Sequence, residues 1–116
     1  MVNDFDTLKR VIAHVEAWHL DDGRIQTIRL AGEPIVRMRD DDVVSFLPWA
    51  NHLSQVRVHV ADGATRSVIT ATGLILCGRR ITVVVDVRAD LVRRHGLAGA
   101  VSVEAVSLLL PKAVAV

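Results

Sequence analysis

The sequence predicts an α+β fold in which a curved, mainly antiparallel β-sheet of about six strands packs against an N-terminal helix. From Gln55 to Val87, apolar residues alternate with polar ones. This period of two places one side of each strand on a core and the other side in water. Near the N-terminus, apolar residues recur every three or four positions, as on one face of a helix. The residues of this stripe are Leu8, Val11, Ile12, Val15 and Trp18.

The N-terminal helix is expected from Thr7 to Leu20. Asp6 or Thr7 can cap its start, because a short side chain that carries oxygen accepts a hydrogen bond from a free amide there. Gly23, in the segment 21–23, can end the helix because glycine adopts the left-handed conformation that follows many helices.

Two short strands, Arg24 to Leu30 and Ile35 to Arg39, are expected after this helix. Three aspartates at 40–42 interrupt the pattern, and we expect them to form a solvated turn and helix cap, not a cation site. Val43 to Leu47 is a short apolar run, and its pattern leaves a helical turn and a buried strand equally open.

Three strands of a meander follow, from Gln55 to Val60, from Arg66 to Cys77 and from Ile81 to Arg88. Gly73, inside the second of these strands, indicates a bulge or bend. Cys77 is expected to be a small packing residue at the end of that strand.

The last elements are a short helix, capped by Asp90 and stopped by Gly96, and a final strand from Val101 to Leu110. No repeat or linker divides the 116 residues. The sequence therefore predicts one domain over residues 1–116.

Composition restricts the possible functions. Hydrophobic residues make up 51% of the chain but aromatic residues only 3%, which predicts an aliphatic core and disfavours a surface that stacks bases. The net charge of +1 does not by itself imply a polyanionic partner. A single cysteine permits no disulfide within the chain. The sequence contains no signal-peptide pattern and no membrane-spanning apolar run, so a cytoplasmic location is expected.

The histidines and Glu16 would form a metal or acid–base site only if they converged. His14 and His19 are five residues apart, so they diverge on a helix of 3.6 residues per turn. We expect His19 to pack on the apolar stripe and the other histidines, including His52 and His59, to lie on the surface. Glu16 and His19 are three residues apart and could converge, which leaves a zinc site as an alternative. The leading prediction includes no metal and no cofactor.

A pocket between the sheet and the N-terminal helix would draw on the irregular part of the chain. Its expected ligand-binding residues are Trp18, Trp49, Asn51 and His52. His19 and His52 are the candidates for proton transfer. No serine or cysteine nearby has the context of an activated nucleophile, so no catalytic residue is assigned.

The arginines form several small groups along the chain. Arg37 and Arg39 share one strand face, as do Arg57 and His59, and further arginines lie at 79–80 and 93–94. If these groups align, they would form a surface that binds phosphate or carboxylate. Asp86 and Arg88 are expected to pair with neighbours across the sheet.

The leading functional prediction is a non-catalytic binding or assembly module that forms a homo-oligomer, as a dimer, through its sheet. The mean hydropathy of +0.36 is high for a small monomer, and Val84 and the run Val106 to Leu110 suggest apolar surface that a second subunit covers. The alternative is a carrier of a small apolar ligand or a small enzyme such as an isomerase, cyclase or thioester hydrolase. Nucleic-acid binding is the least favoured, because the strands lack aromatic residues.

Overall fold

The structure is a computed structural model that describes residues 4–110. Two single turns of 3-10 helix lie at Asp22–Arg24 and Ser107–Leu109. The remaining elements, in chain order, are α1 (Asp4–Ala17), β1 (Ile25–Arg29), β2 (Ile35–Met38), α2 (Val43–Asn51), β3 (Ser54–Ala61), β4 (Arg66–Leu74), β5 (Arg80–Arg88), α3 (Ala89–Arg94), β6 (Gly99–Val101) and α4 (Val103–Val106).

The six strands form one open sheet in the order β1-β2-β5-β4-β3-β6. Every neighbouring pair is antiparallel except β2 and β5, which are parallel. The predicted α+β fold, with an N-terminal helix before a mostly antiparallel sheet, is confirmed.

The helices pack on one face of the sheet, here called the inner face, and their buried residues join the inward strand residues in one core cluster. The opposite face, here called the outer face, carries no helix among residues 4–110, and its residues are mostly half-buried or exposed. By strand register, the outer face consists of Thr27, Arg29, Ile35, Arg37, Ser54, Arg57, His59, Ala61, Arg66, Val68, Thr70, Thr72, Leu74, Arg80, Thr82, Val84, Asp86, Arg88 and Ala100.

Helix α1 begins and ends three residues earlier than expected. Asp6 and Thr7 therefore lie inside its first turns and do not cap it. At its end, the amide of Leu20 donates to the carbonyl oxygen of Val15 and that of His19 to Glu16, and the φ of His19 is +53°. This is the Schellman arrangement, with His19 and not Gly23 in the left-handed conformation.

The buried side of α1 is rotated relative to the predicted stripe. Its buried residues are Thr7, Val11, His14 and Val15, whereas Ile12 is 44% exposed and Trp18 is 42% exposed. The spacing of the aliphatic residues does not predict how the helix is rotated about its axis, because a threonine and a histidine occupy two of the positions that face the core.

The ambiguous segment after the aspartates is helix α2. The carboxylate of Asp42 accepts a hydrogen bond from the amide of Ser45 at 3.2 Å and caps the helix, as expected for this aspartate run. Pro48 lies inside the helix and does not end it. Phe46 and Trp49 are fully buried, so α2 supplies the aromatic part of an otherwise aliphatic core.

The bulge predicted at Gly73 lies in the neighbouring strand. The register of β3 against β4 shifts between Ser54 and Arg57, and Gln55, inside this bulge, has a φ of +54°. A Cβ on Gly73 would lie 2.8 Å from the Cβ of Leu53 and 2.9 Å from the carbonyl oxygen of Ser54. Glycine is therefore required here because the start of β3 crosses close to it.

Strand β4 ends at Leu74, earlier than predicted, and the chain turns through residues 75–79. Cys77 lies exposed in this turn, so the prediction that it packs in a strand is wrong. Two backbone hydrogen bonds close this turn. The amide of Ile75 donates to the carbonyl oxygen of Arg79, and the amide of Gly78 donates to the carbonyl oxygen of Ile75.

The predicted final strand from Val101 to Leu110 is also wrong. Strand β6 ends at Val101, and the hydroxyl of Ser102 then accepts a hydrogen bond from the amide of Ala105 at 3.1 Å, which caps helix α4. Val106 and Leu109 are both buried, a three-residue spacing typical of helical turns and not of a strand.

For helix α3, the predicted stop at Gly96 is confirmed and the predicted cap at Asp90 is wrong. Gly96 ends the helix with a φ of +65°. Asp90 lies in the first turn, but Arg88 is the residue at the N-cap position and no side chain caps the helix. The carboxylate of Asp90 instead accepts a hydrogen bond from the guanidinium of Arg88 at 2.7 Å, which lowers the pKa of Asp90.

We expect Gly73→Ala to lower the free energy of unfolding by about 1–3 kcal/mol, because the added methyl group overlaps the start of β3. Urea unfolding measures the change. Gly23→Ala is the matched control: it also adds a methyl group at ordinary φ, but the nearest atom is a flexible carboxylate oxygen of Asp21 at 3.2 Å. Equal stability of the two variants would contradict the close crossing.

Candidate functional site

Three of the predicted pocket residues lie together where the end of α1 meets the end of α2. The ring of Trp18 stacks on that of His52 with centroids 4.3 Å apart and an angle of 14° between planes. The ring of Trp49 stacks on that of His14 at 5.8 Å, and His14 meets the edge of Trp18 at 6.5 Å. The cluster of His14, Trp18, Trp49 and His52 therefore joins the two helices.

His14 is the buried member of this cluster, although it was expected on the surface. It is 1% exposed, and its Nδ1 accepts a hydrogen bond from the amide of Leu76 at 3.2 Å. The proton of the neutral ring is thus on Nε2, which is buried without a partner in the described structure, as is the indole nitrogen of Trp49. Burial, and to a lesser extent the nearby His52, lowers the pKa of His14.

The other two predicted residues are not part of this cluster. His19, expected to pack, is exposed because the helix ends before it, and it lines an open groove with Trp18, Val44 and Pro48. Asn51 is exposed and lines a different groove with Val56 and Val101. His52 stacks on Trp18 but does not line the groove of His19, so that groove does not bring the two proton-transfer candidates together.

An open apolar groove of about 460 Å³ does lie between α1 and strand β1. Leu8, Ile12, Ile25 and Ile28 are among its lining residues. None of the predicted ligand-binding residues reaches it. The helix and the sheet thus frame a groove, but at the edge strand and away from the tryptophans.

Metal-ligating side chains do not gather within residues 4–110, where no group of three or more histidine, cysteine, aspartate or glutamate residues is placed to hold an ion. The aspartates at 40–42 have other partners. Asp41 accepts hydrogen bonds from the amide of Arg88 at 3.0 Å and the guanidinium of Arg66 at 3.1 Å, and Asp42 caps α2.

The strand order brings the arginines of five strands onto the outer face, with Arg66 of β4 and Arg88 of β5 at one end. Arg29 of β1, Arg37 of β2, Arg57 of β3 and Arg80 of β5 all project from this side, and His59 lies beside them. Arg93, by contrast, belongs to α3 and donates a hydrogen bond to the carbonyl oxygen of Gly63 at 2.6 Å. The strand arginines align as a group, whereas those of the last helical turn do not join them.

Ion pairs neutralise the arginines at only one end of the outer face. Arg37 lies 3.1 Å from Asp86 across the sheet, as expected for that aspartate. Arg66 pairs with Asp41, and Arg88 pairs with Asp90 on its own chain segment and not across the sheet. At the other end, Arg29, Arg57 and Arg80 are exposed and form no ion pair within residues 4–110.

Acidic residues are nearly absent from this face although the chain contains 13 of them. Within the described residues, Asp86 is the one carboxylate among the outward strand positions, and Arg37 already binds it. Although the net charge is only +1, the charges are unevenly distributed. Most acidic residues lie on the helices and turns, and the unpaired arginines lie at one end of the sheet.

Two of the unpaired arginines lie at the ends of one cross-strand row. The row runs from Arg29 through Ile35, Thr82 and Thr72 to Arg57. Four inter-strand steps separate its end residues, or about 19 Å between their Cα atoms. This span suits a ligand that extends along the row better than a single small anion.

The candidate site is the outer face of a two-layer α+β protein. No helix of residues 4–110 covers this face, and its unpaired charges are basic. Comparison with protein-family models, with curated proteins and with solved structures finds no match for the chain. In the described residues no helix is long and apolar enough to cross a membrane.

We expect the free energy of unfolding to fall as the pH drops below about 6.5, the pKa of an unperturbed histidine. The pKa of His14 is lowered in the folded state, so the unfolded chain takes up a proton that the folded chain excludes. Protonation would also turn the Nδ1 acceptor into a donor facing the amide of Leu76.

Urea unfolding between pH 7.5 and 5 measures this slope. His14→Asn, whose amide oxygen can still accept from Leu76, should remove its part of the pH dependence. His59→Asn is the control, since it alters an exposed histidine and retains His14. An unchanged slope in His14→Asn would show that another group titrates.

Proposed function

We propose that this protein is a non-catalytic binding module whose partner is a nucleic acid, held on the outer face through its phosphate backbone. The observation that carries this proposal is the set of three unpaired arginines, Arg29, Arg57 and Arg80, at one end of a sheet face with no helix on it. Arginine binds phosphate in a planar, bidentate manner that lysine does not match.

The spacing of these arginines favours a polymer of phosphates. About 19 Å separates the Cα atoms of Arg29 and Arg57 along the row, which several consecutive nucleotides span. The threonines between them, Thr72 and Thr82, offer neutral hydroxyl groups to the same strand of phosphates.

The chemistry of the face also favours contact with phosphates over contact with bases or lipid. Among the described outward positions the sole ring is that of His59, so base stacking contributes little. The exposed large apolar side chains lie on helices and turns and not at outward strand positions: they are Phe5, Ile12, Val44, Trp18 just after α1, Leu76 in the turn between β4 and β5, and Leu108 after α4. Binding should therefore depend little on nucleotide sequence and strongly on salt.

The test is fluorescence anisotropy with a labelled 20-nucleotide single-stranded DNA over a range of salt concentrations. The triple variant Arg29→Gln, Arg57→Gln and Arg80→Gln should bind more weakly at low salt. Its slope of log affinity against log salt should be shallower by about 2, since each lost phosphate contact removes about 0.7.

The matched control for this test is the triple variant Arg10→Gln, Arg24→Gln and Arg94→Gln, which removes the same charge from exposed positions outside the sheet. It should retain most of the affinity. Two results would contradict the proposal. One is an equal loss of affinity in the two triple variants. The other is no binding by the native chain at roughly 50 mM salt or below, where phosphate contacts are strong.

Self-association through the same face is a second candidate, and the small residues at the centre of that face favour it. Thr70, Thr72, Thr82 and Val84 are small, adjacent across β4 and β5, and have no helix over them. Of the two segments from which self-association was predicted, Val84 is only 6% exposed in a single chain, and in the run Val106 to Leu110 only Leu108 is an exposed large hydrophobic residue, off the sheet face.

Self-association predicts a dimer in sedimentation equilibrium at micromolar concentration. Thr70→Arg, at the centre of the face, should then give a monomer by adding charge and bulk to the contact. Thr65→Arg, in the exposed turn before β4, is the control and should leave the dimer intact. A native chain that sediments as a monomer would eliminate this candidate.

A further inference from the structure

A small hollow lies at the unpaired end of the outer face, where strands β3, β4 and β5 meet. Its volume is about 190 Å³. The residues that line it are Gln55, Arg57, Thr72, Gly73, Leu74 and Arg80. Two of the three unpaired arginines therefore share one concave site, and no carboxylate lines it.

The bulge in β3 shapes this hollow. Gln55 adopts a left-handed conformation that is unusual for a residue other than glycine, and Gly73 lets the start of β3 approach β4 closely. Bulges bend a strand and redirect its side chains, and they occur often beside binding sites. Here the residues on both sides of the shift, Gln55 and Arg57, face the same hollow.

The two arginines approach the hollow from opposite sides of β4. Arg57 is paired with Thr72, and Arg80 is paired with Leu74. Their Cα atoms are therefore two strands and two residues apart, about 12 Å. Thr72 lies between the two arginines in the strand register, and all three residues line the hollow.

The hollow also contains neutral side chains that can donate hydrogen bonds. The hydroxyl oxygens of Thr72 and Thr82 are 3.2 Å apart and share a hydrogen bond, which holds the Thr72 hydroxyl in place above the strand. The amide of Gln55 offers a further donor. Two guanidinium groups, a hydroxyl and an amide thus surround one small space.

We infer that this hollow is a binding site for a single phosphoryl group. A phosphomonoester, such as the terminal phosphate of an oligonucleotide, carries about 1.5 to 2 negative charges at pH 7 and three acceptor oxygens, which matches the two arginines and the hydroxyl of the residues that line the hollow. A carboxylate or an internal phosphodiester carries one charge and is satisfied by one guanidinium. The inference rests on the proposed role of the outer face and identifies where on that face a terminal phosphate is held.

The test uses inorganic phosphate as the probe and two-dimensional ¹H–¹⁵N NMR of the whole chain, at constant ionic strength. Saturable shifts should appear at the backbone amides of Gln55, Thr72, Gly73 and Leu74. Acetate at the same concentrations should not produce them. Arg57→Gln and Arg80→Gln should each weaken phosphate binding by about tenfold or more, the effect of losing one charge-assisted hydrogen bond.

Arg94→Gln is the matched control, because it removes an exposed arginine of α3 outside the hollow. It should leave the phosphate affinity unchanged, and the spectra of all variants should overlay away from the substituted position if the fold is intact. Shifts that do not saturate, that acetate reproduces, or that persist equally in Arg57→Gln and Arg80→Gln would overturn the inference.

The two proposals fail in different ways. Loss of phosphate binding with salt-dependent binding of the oligonucleotide retained would overturn the hollow and leave the face as a nucleic-acid surface. Saturable phosphate binding without oligonucleotide binding would support the hollow and overturn the proposed function.

Discussion

Strand β5 lies in the middle of the sheet, between β2 and β4, and its inward residues Ile81, Val83, Val85 and Val87 are each at most 1% exposed. Burial of each such side chain contributes about 1.5–3 kcal/mol as an upper estimate. Because side chains alternate along a strand, burying these residues forces Thr82 and Asp86 to the opposite side. The helices gather where the aliphatic residues are, and the outer face is left uncovered.

The sequence was sufficient to place strands β1 to β5, because a period of two is a local property. It was not sufficient where apolar residues run together. Residues 43–47 and the residues after Val101 contain too few polar positions to distinguish a strand from a helix. In the structure both segments begin a helix, and the side chains of Asp42 and Ser102 cap the two helices. His14 and His19 exchanged their expected roles because the left-handed residue that ends α1 is a histidine, where glycine is the usual signal.

The basic face was predictable only in part. Alternation correctly put Arg57 and His59 on one side of their strand, but no local pattern says which strands are neighbours. Arg29 and Arg57 share a row because β2 pairs in parallel with β5, a contact between segments about 45 residues apart in the chain. Thr72 and Gln55 carried no signal at all, since the first is an ordinary strand residue and the second acts through a bulge set by Gly73.

The turn between β4 and β5 gives the molecule a natural attachment point. Cys77 is the one cysteine of the chain and is exposed there, in the loop that joins Leu74 to Arg80. A thiol-reactive fluorophore or spin label would attach at this single position without any substitution. It would report from the rim of the basic end of the sheet and would also mark the place where oxidation could cross-link two molecules.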